Sequence, residues 1–119
     1  MGLVYANVKV TNIRENGGSF SAQFLVDTGA TDTIIPADEL EKIGVERVQK
    51  NSYELADGSL VEYDTGYGLI QVMGKKVAAN VVFAETGCEP LLGVTVLESA
   101  GFVVDPVNKI LRKIAIPLK

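Results

Sequence analysis

Turn-forming residues punctuate this chain so often that few stretches between them could hold a long helix. Val, Ile, Leu and Gly dominate the intervening segments, and turn signals recur at short intervals, which is a β-rich pattern. "YANVKV" opens as a strand and "RENGG" (Arg14 to Gly18) reads as a turn. "SFSAQFLV" then alternates, placing Phe20, Ala22, Phe24 and Val26 on one face, as a half-buried strand requires. "NSYELADGSLVEY" carries Asp57-Gly58 between two strand-like segments, a strong hairpin signal because Asp-Gly suits tight primed turns. "GLIQVMGKKVAANVVF" repeats that plan around Gly74-Lys75, and "FVVDPVNKILRKI" predicts a third hairpin turning through Asp105 to Asn108. Two short helices are expected, "PADELEKIG" stopped by Gly44 and "TVLESAG" closed by Gly101.

The length of 119 residues is that of one ordinary domain, and no shift in composition or linker divides it, so a single domain over 1–119 is expected. A chain of this size buries roughly two-thirds of its unfolded surface, enough for a core without metal or disulfide staples. No apolar run approaches the length a membrane helix needs, and the first residues lack the basic-then-apolar order of a leader. The expectation is a cytoplasmic protein without a membrane partner. A net charge of −4 with scattered Lys and Arg argues against a nucleic-acid partner. The lone Cys88 cannot form an intrachain disulfide and has no imidazole to activate it.

Histidine is absent. This removes Ser-His-Asp and Cys-His mechanisms and argues against a zinc centre, so neither metal nor cofactor is expected. Acid–base chemistry would fall mainly to carboxylates. Two glycine patterns are decoys. "GLIQVMGKK" has one residue too many between its glycines for a phosphate loop and Lys76 where Ser or Thr should bind magnesium. "GYGLIQ" lacks the third glycine of a dinucleotide fingerprint and sits in a hairpin.

Asp-Thr-Gly occurs twice, at Asp27-Thr28-Gly29 and at Asp64-Thr65-Gly66. As a bare triplet it signals little, since Asp and Gly are ordinary turn residues. Context separates the copies. Asp27 follows the apolar "FLV" and precedes "ATDTIIP", which places its carboxylate where a buried strand ends, a costly position unless hydrogen bonds or a partner hold it. Gly29 can bring its N–H close to that carboxylate, and the Thr28 hydroxyl can lock the loop. Asp64 follows "VEY" in an alternating, half-exposed strand.

"FLVDTGATDTIIP", then a hairpin, then "EPLLGVTVLESAGFVVD" resembles the retropepsin-like, single-domain aspartic proteases in order and content, roughly from Tyr5 to Leu111. The resemblance implies an all-β acid-protease barrel of short strands and hairpins with one or two short helices. It implies Asp27 as the catalytic residue and Thr28, Gly29 and Ala30 as its loop. Ala56, Asp57, Gly58 and Ser59 would form the tip of a substrate-covering flap, and Leu91, Leu92 and Gly93 the late glycine loop. In that family each chain supplies one aspartate and a homodimer completes the pair. Two-lobed relatives hold both in one chain, but in lobes far longer than the spacing from Asp27 to Asp64, so Asp64 is read as structural.

The chain departs from retroviral members at two places. The acidic residue after Asp-Thr-Gly-Ala and the arginine after the late glycine, which pair there, are Thr31 and Val94 here. Both partners are missing together, so no orphan buried charge remains. The flap tip is "ADGS" rather than glycine-rich. The implied activity is peptide-bond hydrolysis through water activated by two Asp27 carboxylates, on an extended peptide or protein substrate. Apolar positions such as Ile34, Ile35 and Val82 are expected to line its pockets. The alternative is a catalytically silent domain using the same fold for dimerisation or peptide binding.

Overall fold

The strand that enters the barrel first is also the one that closes it. The computed structural model describes residues 3–119, with nine strands and two short helices among them. Strand β1 (Tyr5–Asn12) alternates between exposed and buried side chains along most of its length. It pairs antiparallel with β2 (Ser19–Val26) on one side and with β5 (Leu60–Val72) on the other. The sheet continues from β2 through β7 (Leu91–Leu92), β3 (Thr33–Pro36) and β6 (Lys75–Ala84) back to β5. The ring closes through the β1–β5 pairing, while Ser19–Phe24 of β2 and Lys75–Asn80 of β6 pair with a neighbouring strand on one side only. Val8, Val10, Phe24, Ile35, Ile70 and Leu92 fill its interior.

β5 runs out of the barrel as well as through it. Its second half pairs with β1 and β6, whereas Leu60 to Thr65 pair with β4 (Gln49–Glu54) in a hairpin that projects beyond the ring. That hairpin turns over Ala56-Asp57-Gly58 rather than in a tight primed turn on Asp57-Gly58. The Gly58 N–H donates to the Leu55 carbonyl at 2.9 Å, and only Gly58, at φ 85°, is left-handed, the pattern of a turn closed by a glycine bulge. The β5–β6 hairpin turns one residue earlier than expected, on Met73-Gly74 rather than Gly74-Lys75. Met73 at φ 48° and Gly74 at φ 80° supply the two left-handed residues of a primed turn, with the glycine second rather than first.

Helix α1 (Ala37–Lys42) follows β3 directly and buries Leu40. Helix α2 (Val94–Ala100) follows β7, buries Val96, Leu97 and Ala100, and stops at Gly101 in the left-handed region. A separate hairpin, β8 (Phe102–Asp105) with β9 (Ile110–Lys113), comes after α2. Its turn occupies 106–109. Asp105 ends the strand and caps the turn, accepting the N–H groups of Val107 and Asn108. "RKIAIPLK" is strand only to Lys113, and Ile114, Ile116 and Leu118 beyond it are exposed.

Candidate active site

Asp27 leaves the end of β2 into a turn fastened at both ends by main-chain bonds. The Asp27 N–H donates to the Leu92 carbonyl at 3.0 Å, and the Ala30 N–H donates back to the Asp27 carbonyl at 3.2 Å. The Gly29 N–H donates to Asp27 Oδ1 at 2.9 Å, so the loop's own glycine orients the carboxylate. None of the ion pairs among the described residues involves Asp27. The side chain is half-buried, while Thr28 and Gly29 face solvent. The apolar run before Asp27 predicts the end of a buried strand. Only Phe24 of the preceding apolar triplet is fully buried, and Leu25 and Val26 are half-covered, so the carboxylate opens onto an accessible face.

The late glycine loop braces this turn from behind. β7 runs parallel to β2, pairing Leu25 with Leu91 and Val26 with Leu92, and touches β3 antiparallel at Ile34. The Gly93 N–H donates to the Thr33 hydroxyl at 3.0 Å in a buried contact. Gly93 has an ordinary φ of −83°, so its need for glycine is one of space. A Cβ there would lie 2.6 Å from the Asp32 carbonyl carbon and 2.7 Å from the carbonyl oxygens of Thr31 and Asp32. The two segments that would carry the absent acid–arginine pair are laced together by backbone instead, each position bonding the other's chain neighbour. Val94 N–H donates to the Ala30 carbonyl at 2.8 Å and Thr95 N–H to that of Thr31 at 3.2 Å.

Ala56, Asp57, Gly58 and Ser59 all lie exposed at the tip of the projecting hairpin. The tip orders itself. Asp57 Oδ1 accepts both the Ser59 hydroxyl at 2.6 Å and the Ser59 N–H at 2.9 Å, which holds the Asp57 carboxyl below its usual range. Asp64 is occupied elsewhere, on the same hairpin's outgoing strand. It accepts from Lys50 at 3.0 Å and Arg47 at 2.8 Å, and these bonds depress its pKa. Arg47 also pairs with Glu41 and lies over the Phe83 ring. The second Asp-Thr-Gly is thus an ion-pair anchor between β4, β5 and the segment before them.

Two expected pocket residues lie buried within the protomer instead. Ile35 is 0% and Val82 3% exposed, and only Ile34 keeps partial exposure. Sequence reasoning also missed three residues. Thr33 carries the buried acceptor for Gly93, and Asp32 accepts the Tyr53 hydroxyl at 2.8 Å. Neither contact has a local signal, because each joins residues distant in sequence. Burial pushes the Cys88 thiol up, with the Glu85 and Asp38 charges adding to it. Among the described residues no three His, Cys, Asp or Glu side chains converge as a cation site, and no helix is long and apolar enough to cross a membrane.

A half-buried aspartate held by its own glycine, a glycine-tight loop behind it and a self-capped hairpin beyond it form a recognisable set. The family model described as gag-polyprotein putative aspartyl protease matches residues 11–99, most of the chain. The protein belongs to that family. Its closed, mostly β architecture is the retropepsin-like fold. No curated protein matches the chain.

Proposed function

We propose that this chain is an aspartic endopeptidase acting as a two-fold homodimer, with one Asp27 from each subunit. The observation that carries this reading is the Asp27 turn. Its carboxylate is oriented by the Gly29 N–H, and the adjoining Thr28 and Gly29 are open to an approaching copy. One protomer offers a single suitably placed carboxylate, because Asp64 is bound in ion pairs. Amide hydrolysis needs one group to activate water and another to protonate the carbonyl oxygen and then the amine. Two carboxylates within hydrogen-bonding distance share one proton and divide those roles. They titrate as a unit, so neither is the acid on its own.

Symmetry brings the second carboxylate. An isologous contact at the Asp27-Thr28-Gly29 turns places like residues around the axis. Thr28 then braces one turn against the other, and the β4–β5 hairpin covers an extended peptide through backbone pairing. The exposed Leu3, Ile114, Ile116 and Leu118 offer apolar surface near the chain ends for the same association.

The test is Asp27→Asn, which keeps the shape of the side chain and removes proton sharing. Cleavage of a peptide library is expected to fall below detection while circular dichroism stays that of the wild type. Undiminished cleavage by this variant would overturn the assignment.

A further inference from the structure

A side-chain contact ties the flap to the floor of the site, and this inference rests on the peptidase reading above. Tyr53 lies on β4, the strand that leads into the flap. Asn51 and Tyr53 turn inward while Lys50, Ser52 and Glu54 face solvent. The Tyr53 hydroxyl donates to Asp32 Oδ2 at 2.8 Å, partly buried. Asp32 sits between the Asp27 turn and β3, in the most constrained part of the loop. The Thr31 carbonyl before it accepts Thr95 N–H, and the Thr33 hydroxyl after it accepts Gly93 N–H. Its own backbone lies where a Cβ on Gly93 would fall. Asp32 is thus flanked on both sides by bonds to the late glycine loop, and the contact ties the flap to that packed segment.

The tyrosine is held from behind as well. Its ring packs against Tyr63 across the hairpin, with centroids 6.5 Å apart and planes inclined at 57°. The Tyr63 hydroxyl is in turn anchored on Glu85 at 2.6 Å. Burial first, and then the bond to Asp32, raise the Tyr53 pKa, with Asn51 opposing, so the hydroxyl stays a donor through the neutral and acidic range. A bond from a neutral hydroxyl to a carboxylate is stronger than one between neutral groups.

We propose that Tyr53 is a positioning residue. By holding β4 against Asp32 it fixes the flap over the Asp27-Thr28-Gly29 turn and sets how firmly an extended peptide is gripped. Tyr53 does not touch the reacting atoms in this role. Its loss weakens peptide binding more than the chemical step, which separates it from Asp27.

The test is a double-mutant cycle of Tyr53→Phe and Asp32→Ala, read by KM, kcat and amide hydrogen exchange. Tyr53→Phe keeps the ring and its packing and removes only the donor. It is expected to raise KM about 10-fold while kcat changes by less than about 3-fold, the pattern of a lost binding contact. The double variant is expected to be no worse than the more affected single one, since both remove one bond. Asp32→Asn, whose side-chain carbonyl still accepts, recovers most of the KM. Exchange needs no substrate: amides over residues 52–62 are expected to speed up in Tyr53→Phe, with β1 and β6 unchanged. Additive losses, an unchanged KM, or faster exchange spread evenly over the chain would overturn the proposal. If the wild-type protein cleaves no peptide, the peptidase reading fails together with the KM result. The exchange cycle alone then upholds or overturns the tether.

Discussion

Adding one methyl group at Gly93 tests how the late glycine loop supports the Asp27 turn. Three backbone atoms of Thr31 and Asp32 lie 2.6 to 2.7 Å from the position of the new Cβ. An ordinary carbon contact needs about 3.5 Å or more, so the loop must retreat by nearly an ångström. Backbone cannot swing aside as a flexible side chain does, and overpacking of this kind costs roughly 1–3 kcal/mol. At this chain length that corresponds to a fall in Tm of about 4–12 °C, taking roughly 4 °C per kcal/mol. The displaced segment runs from the Asp27 turn to β3, and a misplacement of about 1 Å can cost on the order of 100-fold in rate. Gly93→Ala is therefore expected to lose both stability and activity. Gly29→Ala is the comparison, because its Cβ would meet only Asp27 Oδ1, at 3.3 Å, in an exposed turn. It should melt within a few degrees of the wild type, while its crowding of the carboxylate lowers cleavage. Thermal unfolding by circular dichroism and kcat/KM on one peptide decide the matter. A Gly93→Ala protein as stable as the wild type, or destabilised less than Gly29→Ala, would refute the packing argument.

Assembly is tested by dilution. Well below the dissociation constant of the dimer the rate should scale with roughly the square of total chain, and flat specific activity with only monomer in parallel sedimentation would place both catalytic groups within one chain. Asp64→Asn is expected to keep most of the cleavage activity, since it removes ion pairs on β5 and leaves the Asp27 turn intact; a loss as deep as that of Asp27→Asn would contradict its structural role. Acid should loosen the β4–β5 hairpin. Asp64 and Asp57 have folded pKa values held below the usual 3.8, by Lys50 and Arg47 and by Ser59 respectively. Their contributions are complete above that value and disappear as the pH falls through the lower folded pKa. Protection of the β4–β5 amides, taken relative to the intrinsic exchange rate at each pH, should be steady from neutrality to about pH 4 and fall below it, and the effect should be modest because Asp57 is exposed and Asp64 half-exposed. Cleavage should be insensitive to EDTA and to thiol-blocking reagents, as a carboxylate mechanism with an inert Cys88 requires. Loss in EDTA restored by added metal would contradict it.

Local regularities were legible in the sequence because they depend on neighbours. The alternation from Ser19 to Val26 marks a half-buried strand, Gly44 and Gly101 mark the helix ends, and Asp57-Gly58 marks the β4–β5 turn. The order of the motifs was enough for the fold and for choosing Asp27 over Asp64 as the candidate. The exact turn at Met73-Gly74 was not legible, since a primed turn accepts glycine at either central position. The expectation that Ile35 and Val82 line a pocket fails for a similar reason: periodicity reveals a buried face but not whether core or substrate covers it. What only the tertiary structure decided are contacts between segments far apart in the chain. The closure of β1 on β5, Thr33 against Gly93, Tyr53 against Asp32, and Asp64 between Arg47 and Lys50 all belong to this class. Thr, Tyr and Asp satisfy their hydrogen bonds as readily with water as with one another. Only the packed barrel, by bringing those groups within about 3 Å and excluding alternatives, determines which partner each one takes.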